Sequence, residues 1–274
     1  MTQHYLLLLL LLLAACEKET KWPLQEKKTP VVVVDGMITD ETKKQSIHLT
    51  ESFDTLNQVP LPLSGADVII SSDGNVYHLR EKVLDPGTYV SETAFAGQVN
   101  SEYSLLVNSS NKVYTAKAKI ASGVVSFTPA KFVWNSSNGL YSVESVADVY
   151  TPDPPAMYEL ILDWSHLPGY ASSDSVSTHA RLIYYSLPTL DVSEIFAPAT
   201  EKVYFPAGTI LVERRYSLTT EYAAFLRALL LETTWHGGYF TTASANVPTN
   251  LSNGAVGYFS ACSVNSMILT VGGK

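Results

Sequence analysis

From Pro30 onward the chain is a succession of short β-type runs, each cut off by a turn signal, and this pattern excludes most helical architectures. Val31-Val32-Val33-Val34 is β-branched throughout, and Asp35-Gly36 separates it from Met37-Ile38-Thr39-Asp40. Ser46-Ile47-His48-Leu49-Thr50 alternates polar and apolar residues, as a half-buried strand does, and the alternation turns His48 toward solvent. Asp67-Val68-Ile69-Ile70 and Val76-Tyr77-His78-Leu79 flank Ser71-Ser72-Asp73-Gly74-Asn75. That linker predicts a hairpin, because Asp-Gly adopts positive φ at little cost. Asp85-Pro86-Gly87 reads as a further turn before Thr88-Tyr89-Val90, and Tyr103–Val107 and Tyr114–Lys119 complete the first half.

The second half, past a soft boundary near Ala121, continues in the same way. Strands are expected at Val124–Val133, Leu140–Tyr150, Met157–Trp164, Arg181–Tyr185, Thr209–Tyr216 and Ser266–Val271. Tyr150-Thr151-Pro152-Asp153-Pro154-Pro155 is a proline-stiffened connection that cannot be a central strand. One segment breaks the pattern. Tyr222, Phe225, Leu226, Leu229 and Leu230 recur at helical spacing and form one apolar face. Ser217 or Thr219 can cap its start, Glu221 favours its first turn, and Gly237-Gly238 follows it. A helix near 218–232 covering one face or end of a sheet is therefore expected. The Gly65-Ala66-Asp67-Val68, Asp73-Gly74, Pro86-Gly87-Thr88-Tyr89 and Tyr103-Ser104-Leu105 pieces resemble the carboxypeptidase-regulatory-like and transthyretin-like sandwich. The expected architecture is mainly β: an Ig-like/transthyretin-like β-sandwich over 30–120, packed on a second antiparallel β domain over 121–274 that carries the helix.

The N-terminus carries an address. Leu6–Leu13 is an unbroken leucine run, followed by Ala14-Ala15-Cys16. As a helix, these ten apolar residues would measure roughly 15 Å, half the hydrocarbon core of a bilayer, so they suit a secretion signal and not a span. Leu13-Ala14-Ala15-Cys16 resembles the lipobox of bacterial lipoproteins. The resemblance implies that residues 1–15 are removed and that Cys16 becomes an acylated N-terminus anchored by several chains. Residues 16–29, with Glu17-Lys18-Glu19-Thr20-Lys21 at their head, read as a solvated tether. The same acidic stretch resembles the surface-export signal of Bacteroidetes lipoproteins; a plain spacer is the other reading.

Composition narrows the function classes. The net charge is −8 with no basic cluster, which argues against nucleic acid as a partner. With Cys16 committed to lipid, Cys262 is the sole remaining cysteine, so no internal disulfide or cysteine zinc site is expected. Its setting, Tyr258-Phe259-Ser260-Ala261-Cys262, suggests a buried small apolar residue. No nucleophile elbow, His-Glu-x-x-His pair or phosphate loop is present, and no cofactor or metal is implied. Ser110-Asn111-Lys112 lacks the companions of a serine–lysine acyltransferase. Asp163-Trp164-Ser165-His166 holds triad residue types, but a triad is built by folding, and His166 reads as a turn residue. Sixteen tyrosines and four tryptophans offer a binding argument instead. Trp134, Tyr141, Tyr170, Trp235 and Tyr239 are candidate stacking residues, with core or cross-strand pairing as the plainer account.

Several segments together resemble a Bacteroidetes outer-membrane lipoprotein family known as domain-of-unknown-function family 4249. They are Cys16, Val34–Asp40, Pro62–Val68, Asp153-Pro154-Pro155 ahead of Tyr158, the Tyr222–Leu230 helix and Gly254–Ala261. The resemblance implies an outer-membrane lipoprotein, often encoded near TonB-dependent β-barrel transporters, with no established activity and no catalytic residues; surface exposure is expected from the acidic tether. The expected function is thus a non-enzymatic accessory or binding subunit for nutrient uptake. A free-standing glycan- or peptide-binding lipoprotein and a hydrolase whose site forms only on folding are the alternatives.

Overall fold

A computed structural model describes residues 30–53, 58–121, 129–146, 154–170, 174–187, 202–233 and 247–272. Cys16, Trp235 and Tyr239 lie outside these residues, as do much of the expected Val124–Val133 strand and the end of Leu140–Tyr150.

The first half forms one sheet in the order β14-β1-β2-β6-β5-β4-β7-β8. Its strands are β1 (Val32–Thr39), β2 (Ser46–Glu51), β4 (Asp67–Ser72), β5 (Asn75–Lys82), β6 (Asp85–Ser91), β7 (Glu102–Ser109), β8 (Lys112–Lys119) and β14 (Val256–Cys262). The short β3 (Leu61–Pro62) pairs with β2. The sheet curls until β8 and β14 lie side by side, so its two halves face one another across a single core, as the layers of a sandwich do. Alternation sets the faces: Val32, Val34 and Ile38 of β1 are buried, as are Ile47 and Leu49 of β2, while His48 is exposed. Tyr89 is buried with them, its hydroxyl donating to Leu63 O at 2.7 Å.

Two hairpins show how local chemistry and register divide the work. Asp73 and Gly74 have φ of 49° and 81° and make the β4–β5 turn, as Asp-Gly predicts. Ser110 and Asn111, also at positive φ, turn β7 into β8. Asp85-Pro86-Gly87, however, is not a turn. Lys82 pairs with Asp85, so Val83-Leu84 forms the turn and Asp85–Gly87 begins β6. A Cβ on Gly87 would approach Leu49 O to 2.6 Å, so this glycine permits close approach of strands instead of a reversal.

The second half builds a sheet in the order β12-β11-β13-β15 from β11 (Ala156–Asp163), β12 (His179–Ser186), β13 (Ile210–Ser217) and β15 (Val264–Thr270). A ribbon of β9 (Lys131–Asn135) and β10 (Leu140–Ser145) bonds instead to the segment leading into β13, through paired backbone bonds between Tyr141 and Phe205 at 2.8 and 3.0 Å. Leu160, Leu162, Trp164, Phe205 and Leu211 form the core of this half. A single helical turn, α1 (Ser175–Thr178), precedes β12. The helix α2 (Thr220–Glu232) has Thr219 as N-cap, its hydroxyl accepting from Tyr222 N at 3.2 Å. It buries Tyr222, Ala223, Phe225 and Leu226, while Leu229, at the far end of the same stripe, is partly exposed.

The described residues from Val31 onward form one compact unit, and β14, from the end of the chain, completes the first sheet. β14 returns to pair in parallel with β1, and a single residue, Ser263, separates it from β15 of the second sheet. Asp40 grips this corner, accepting from Val264 N at 2.7 Å and from the Ser263 hydroxyl. Cys262 is fully buried beside the helix, and burial pushes its thiol up to about 12. Alkylation of Cys262 at pH 8 is therefore expected to follow the rate of opening of the fold. Labelling as fast as a free thiol would contradict its placement.

Candidate functional site

A concavity of about 400 Å³ lies where the curled sheet meets the start of α2. Its floor is the seam between β8 and β14, which no continuous ladder closes. Side chains close it. Asn250 Nδ2 donates to Lys117 O at 2.8 Å and to Phe259 O at 2.7 Å, and its Oδ1 accepts from Phe259 N at 3.1 Å. Below it, Ser252 exchanges bonds with the Thr115 backbone and Asn253 Nδ2 donates to Val113 O at 2.6 Å. Residues 250–253 thus bridge two strand edges that would otherwise be left without partners. Asn250→Ala removes three bonds of roughly 1 kcal/mol each, so a loss of about 2–3 kcal/mol is expected. Hydrogen exchange at Phe259 N should accelerate ahead of the rest of β14; unchanged protection there would refute this role for Asn250.

Above the seam, the walls of the cleft are Glu102, Lys117 and Lys119 on one side and Thr219, Glu221 and Tyr222 on the other, with Tyr258 between. Lys117 Nζ pairs with Glu102 at 2.6 Å and is largely exposed, so it can exchange that partner for a ligand at little cost. Tyr222 and Tyr258 lie 5.1 Å apart, centroid to centroid, with Phe225 behind both. Burial, then the neighbouring Cys262, raises the Tyr222 phenol well above its ordinary value, so it stays neutral. The cleft offers an aromatic wall, amines, carboxylates and an amide: the groups that bind a polar ligand. Its buried serine, Ser260, is already turned to Gly36 O at 3.2 Å.

Sequence-derived candidates fall elsewhere. Trp134 stands on β9, 49 % exposed, edge-on to Tyr141 at 4.9 Å on the paired strand. Tyr170 is partly buried against the second core. The Asp163–His166 segment does bring a serine, a carboxylate and an imidazole together, but the histidine is His179 and not His166. Asp163 Oδ1 accepts from Ser165 N at 2.9 Å and Ser165 Oγ at 2.7 Å, and lies 3.3 Å from His179 Nε2. The carboxylate stands between serine and imidazole, so the histidine cannot take the serine proton. These bonds lower the Asp163 pKa, first through the Ser165 backbone, and make the group a turn cap.

A second polar cluster was invisible from sequence. Glu159 of β11, nearly buried, accepts from Arg181 Nε at 2.6 Å, Tyr216 OH at 2.6 Å and Arg214 at 3.3 Å. Arg214 also reaches Glu41, in the β1–β2 connection, which holds Lys43 at 2.9 Å. On the opposite face, Arg215 lies over the Tyr158 ring at 5.3 Å, beside the buried Glu213. Burial raises the Glu213 pKa against a bond from Ala130 N and the charge of Arg215. No group of three or more His, Cys, Asp or Glu placed to hold a metal occurs among the described residues.

No curated protein matches the chain significantly. The model of a family described as a domain of unknown function, DUF4249, matches residues 17–268, which takes in both sheets, the helix and the seam. The chain belongs to the DUF4249 family.

Proposed function

We propose that this protein is a lipid-anchored outer-membrane lipoprotein, exposed at the cell surface, that serves as a non-enzymatic accessory or binding subunit for TonB-dependent nutrient uptake. The observation that carries the binding role is the cleft over the β8–β14 seam. It combines a tyrosine wall with exchangeable charges, in a frame where the nearly buried Glu159 is spent on bracing. The leucine run ending in Ala14-Ala15-Cys16 supports the anchor, and the acidic residues after it support export to the surface. The test is purification of the tagged protein from native outer membranes in mild detergent. A β-barrel transporter recovered in stoichiometric amount is the expected result. Recovery alone, with Cys16 acylated, would overturn the accessory role.

The exposed Trp134, braced by Tyr141, favours a second reading as a free-standing glycan- or peptide-binding lipoprotein. Its test is binding to a carbohydrate array that Trp134→Ala abolishes.

A further inference from the structure

The curled sheet has two ends, and they differ in chemistry. One end carries the β4–β5 turn and the corner at Asp40 and Ser263 that leads into the second sheet. At the other end the chain enters at Val31. Register places there the end of β2, β3 and the β5–β6 turn, since Val32 pairs with Glu51, Glu51 with Leu61, and the β2–β6 ladder orients β6 with its start at this end. The β2–β3 and β5–β6 side of this end is rimmed with apolar side chains turned to water, while the β7–β8 turn at Ser110-Asn111 keeps its other side polar. Val83 and Leu84 at the hairpin tip are 92 % and 98 % exposed, Val59 is 80 %, and Leu61 and Phe53 are about half exposed. A two-residue turn ordinarily takes polar or glycine residues, because its side chains cannot be covered by the sheet it closes. Valine and leucine at that position imply that something outside the fold covers them.

We infer that this rim is the face by which the protein seats on the lipid bilayer, with Val83 and Leu84 inserted into its interfacial region. The inference rests on the acylation of Cys16 proposed above. Two observations select lipid as the occupant. Residues 17–30 make fourteen residues between the acylated cysteine and Val31, at most roughly 50 Å when fully extended, so the entry end stays within reach of the membrane. The hairpin is also electrically balanced, Lys82 pairing with Asp85 at 3.6 Å, while Glu81 holds the backbone N–H of Gly65 and Gly87. An apolar tip on a locally neutral base suits insertion among acyl chains more than attraction to charged headgroups. Seated this way, the protein turns the Asp40–Ser263 corner away from the lipid.

The chain's own cysteines make the test clean, since Cys16 is committed to lipid and Cys262 is buried. The full-length acylated protein, carrying Leu84→Cys or Val76→Cys labelled with an environment-sensitive fluorophore, is reconstituted into phosphatidylcholine vesicles containing a doxyl-labelled lipid. Val76 is the control: it is apolar, 57 % exposed, and sits at the opposite end beside the β4–β5 turn. The expected result is a blue-shifted emission at position 84 that the doxyl lipid quenches and that high salt does not reverse. Position 76 should behave as in water, and adding Val83→Asp to the Leu84→Cys protein should abolish the quenching. Protein that floats with the vesicles while both labels stay in water, or are quenched alike, would overturn the docking face and leave the anchor standing. Failure to float, with an unmodified Cys16 by mass spectrometry, would instead overturn the anchor and the inference with it. Shielding of position 84 in native membranes but not in lipid vesicles would assign the rim to a protein partner and overturn the lipid assignment.

Discussion

Replacing Gly257 by alanine is expected to cost about 4 kcal/mol, lowering the Tm by roughly 8–16 °C for a domain of this size. Gly257 sits in β14 opposite Val34, in the parallel ladder that attaches the end of the chain to β1. Its φ is +91°, and an added Cβ would stand 2.1 Å from Val34 O and 3.0 Å from Val34 C and N. Backbone atoms cannot rotate away as a side-chain tip can. Relief therefore requires β14 to move off β1, and with it Phe259 and Ala261 leave the core. Left-handed strain alone accounts for about 1–3 kcal/mol of the loss. Gly254 is the matched control. It has φ +77° with nothing within 4 Å of its Cβ position, so alanine there pays only the conformational term of about 1–2 kcal/mol. Thermal unfolding of the two variants decides the matter; equal shifts would mean that the close approach at Val34 contributes nothing.

Glu159→Ala is expected to destabilise by about 3 kcal/mol, because removing one partner strands the others in a site with little water. Tyr216 OH, withdrawn from solvent, loses its acceptor and Arg214 is left with Glu41 alone, whereas Arg181 is 65 % exposed and simply turns outward. Glu159→Gln keeps an acceptor for Tyr216 and should cost less. Burial alone would raise the Glu159 carboxyl, but the bonds from Tyr216 and Arg181 and the two guanidinium charges outweigh it and leave the pKa below its ordinary value. Glu41 is depressed in the same way, burial being outweighed by Lys43, Arg214 and Thr39. A carboxyl lowered in the folded state lends stability that is complete above its unfolded pKa, about 4.3, and is lost as the pH falls through the folded value. Denaturant midpoints followed downward from neutral pH should therefore drop on the acid side of about pH 4, and Glu159→Gln should flatten that drop. An unchanged acid slope in this variant would show that the carboxylate is not the group being titrated.

The features legible in the sequence were those that neighbouring residues decide. The Asp73-Gly74 reversal, the alternation that exposes His48, a cap at Ser217 or Thr219 and the apolar stripe of α2 all follow from backbone preference and side-chain period, which act over a few residues; the fold chose Thr219. The burial of Cys262 followed from its apolar neighbours, and the mainly β class from the repetition of short strands. Family membership was legible too, since its motifs are stretches of consecutive residues. Period alone assigns a strand residue to a face without naming the strand beside it. Only the folded chain therefore showed that β14 returns to β1, more than two hundred residues away in sequence. The same holds for Asn250, which bonds β8 and β14 only because the sheet curls far enough to bring those edges together. Glu159 and Arg214 occupy paired positions on neighbouring strands, and Glu41 meets Arg214 from the β1–β2 connection. The Asp85-Pro86-Gly87 reading failed for the same reason. Its residues favour a turn, but the register with β5 placed the reversal at Val83-Leu84 and spent Gly87 on the approach to Leu49. Local chemistry fixed which segments become strands and which faces they bury; pairing between distant segments, settled only when the sheet closes, decided where the cleft, the brace and the apolar rim stand.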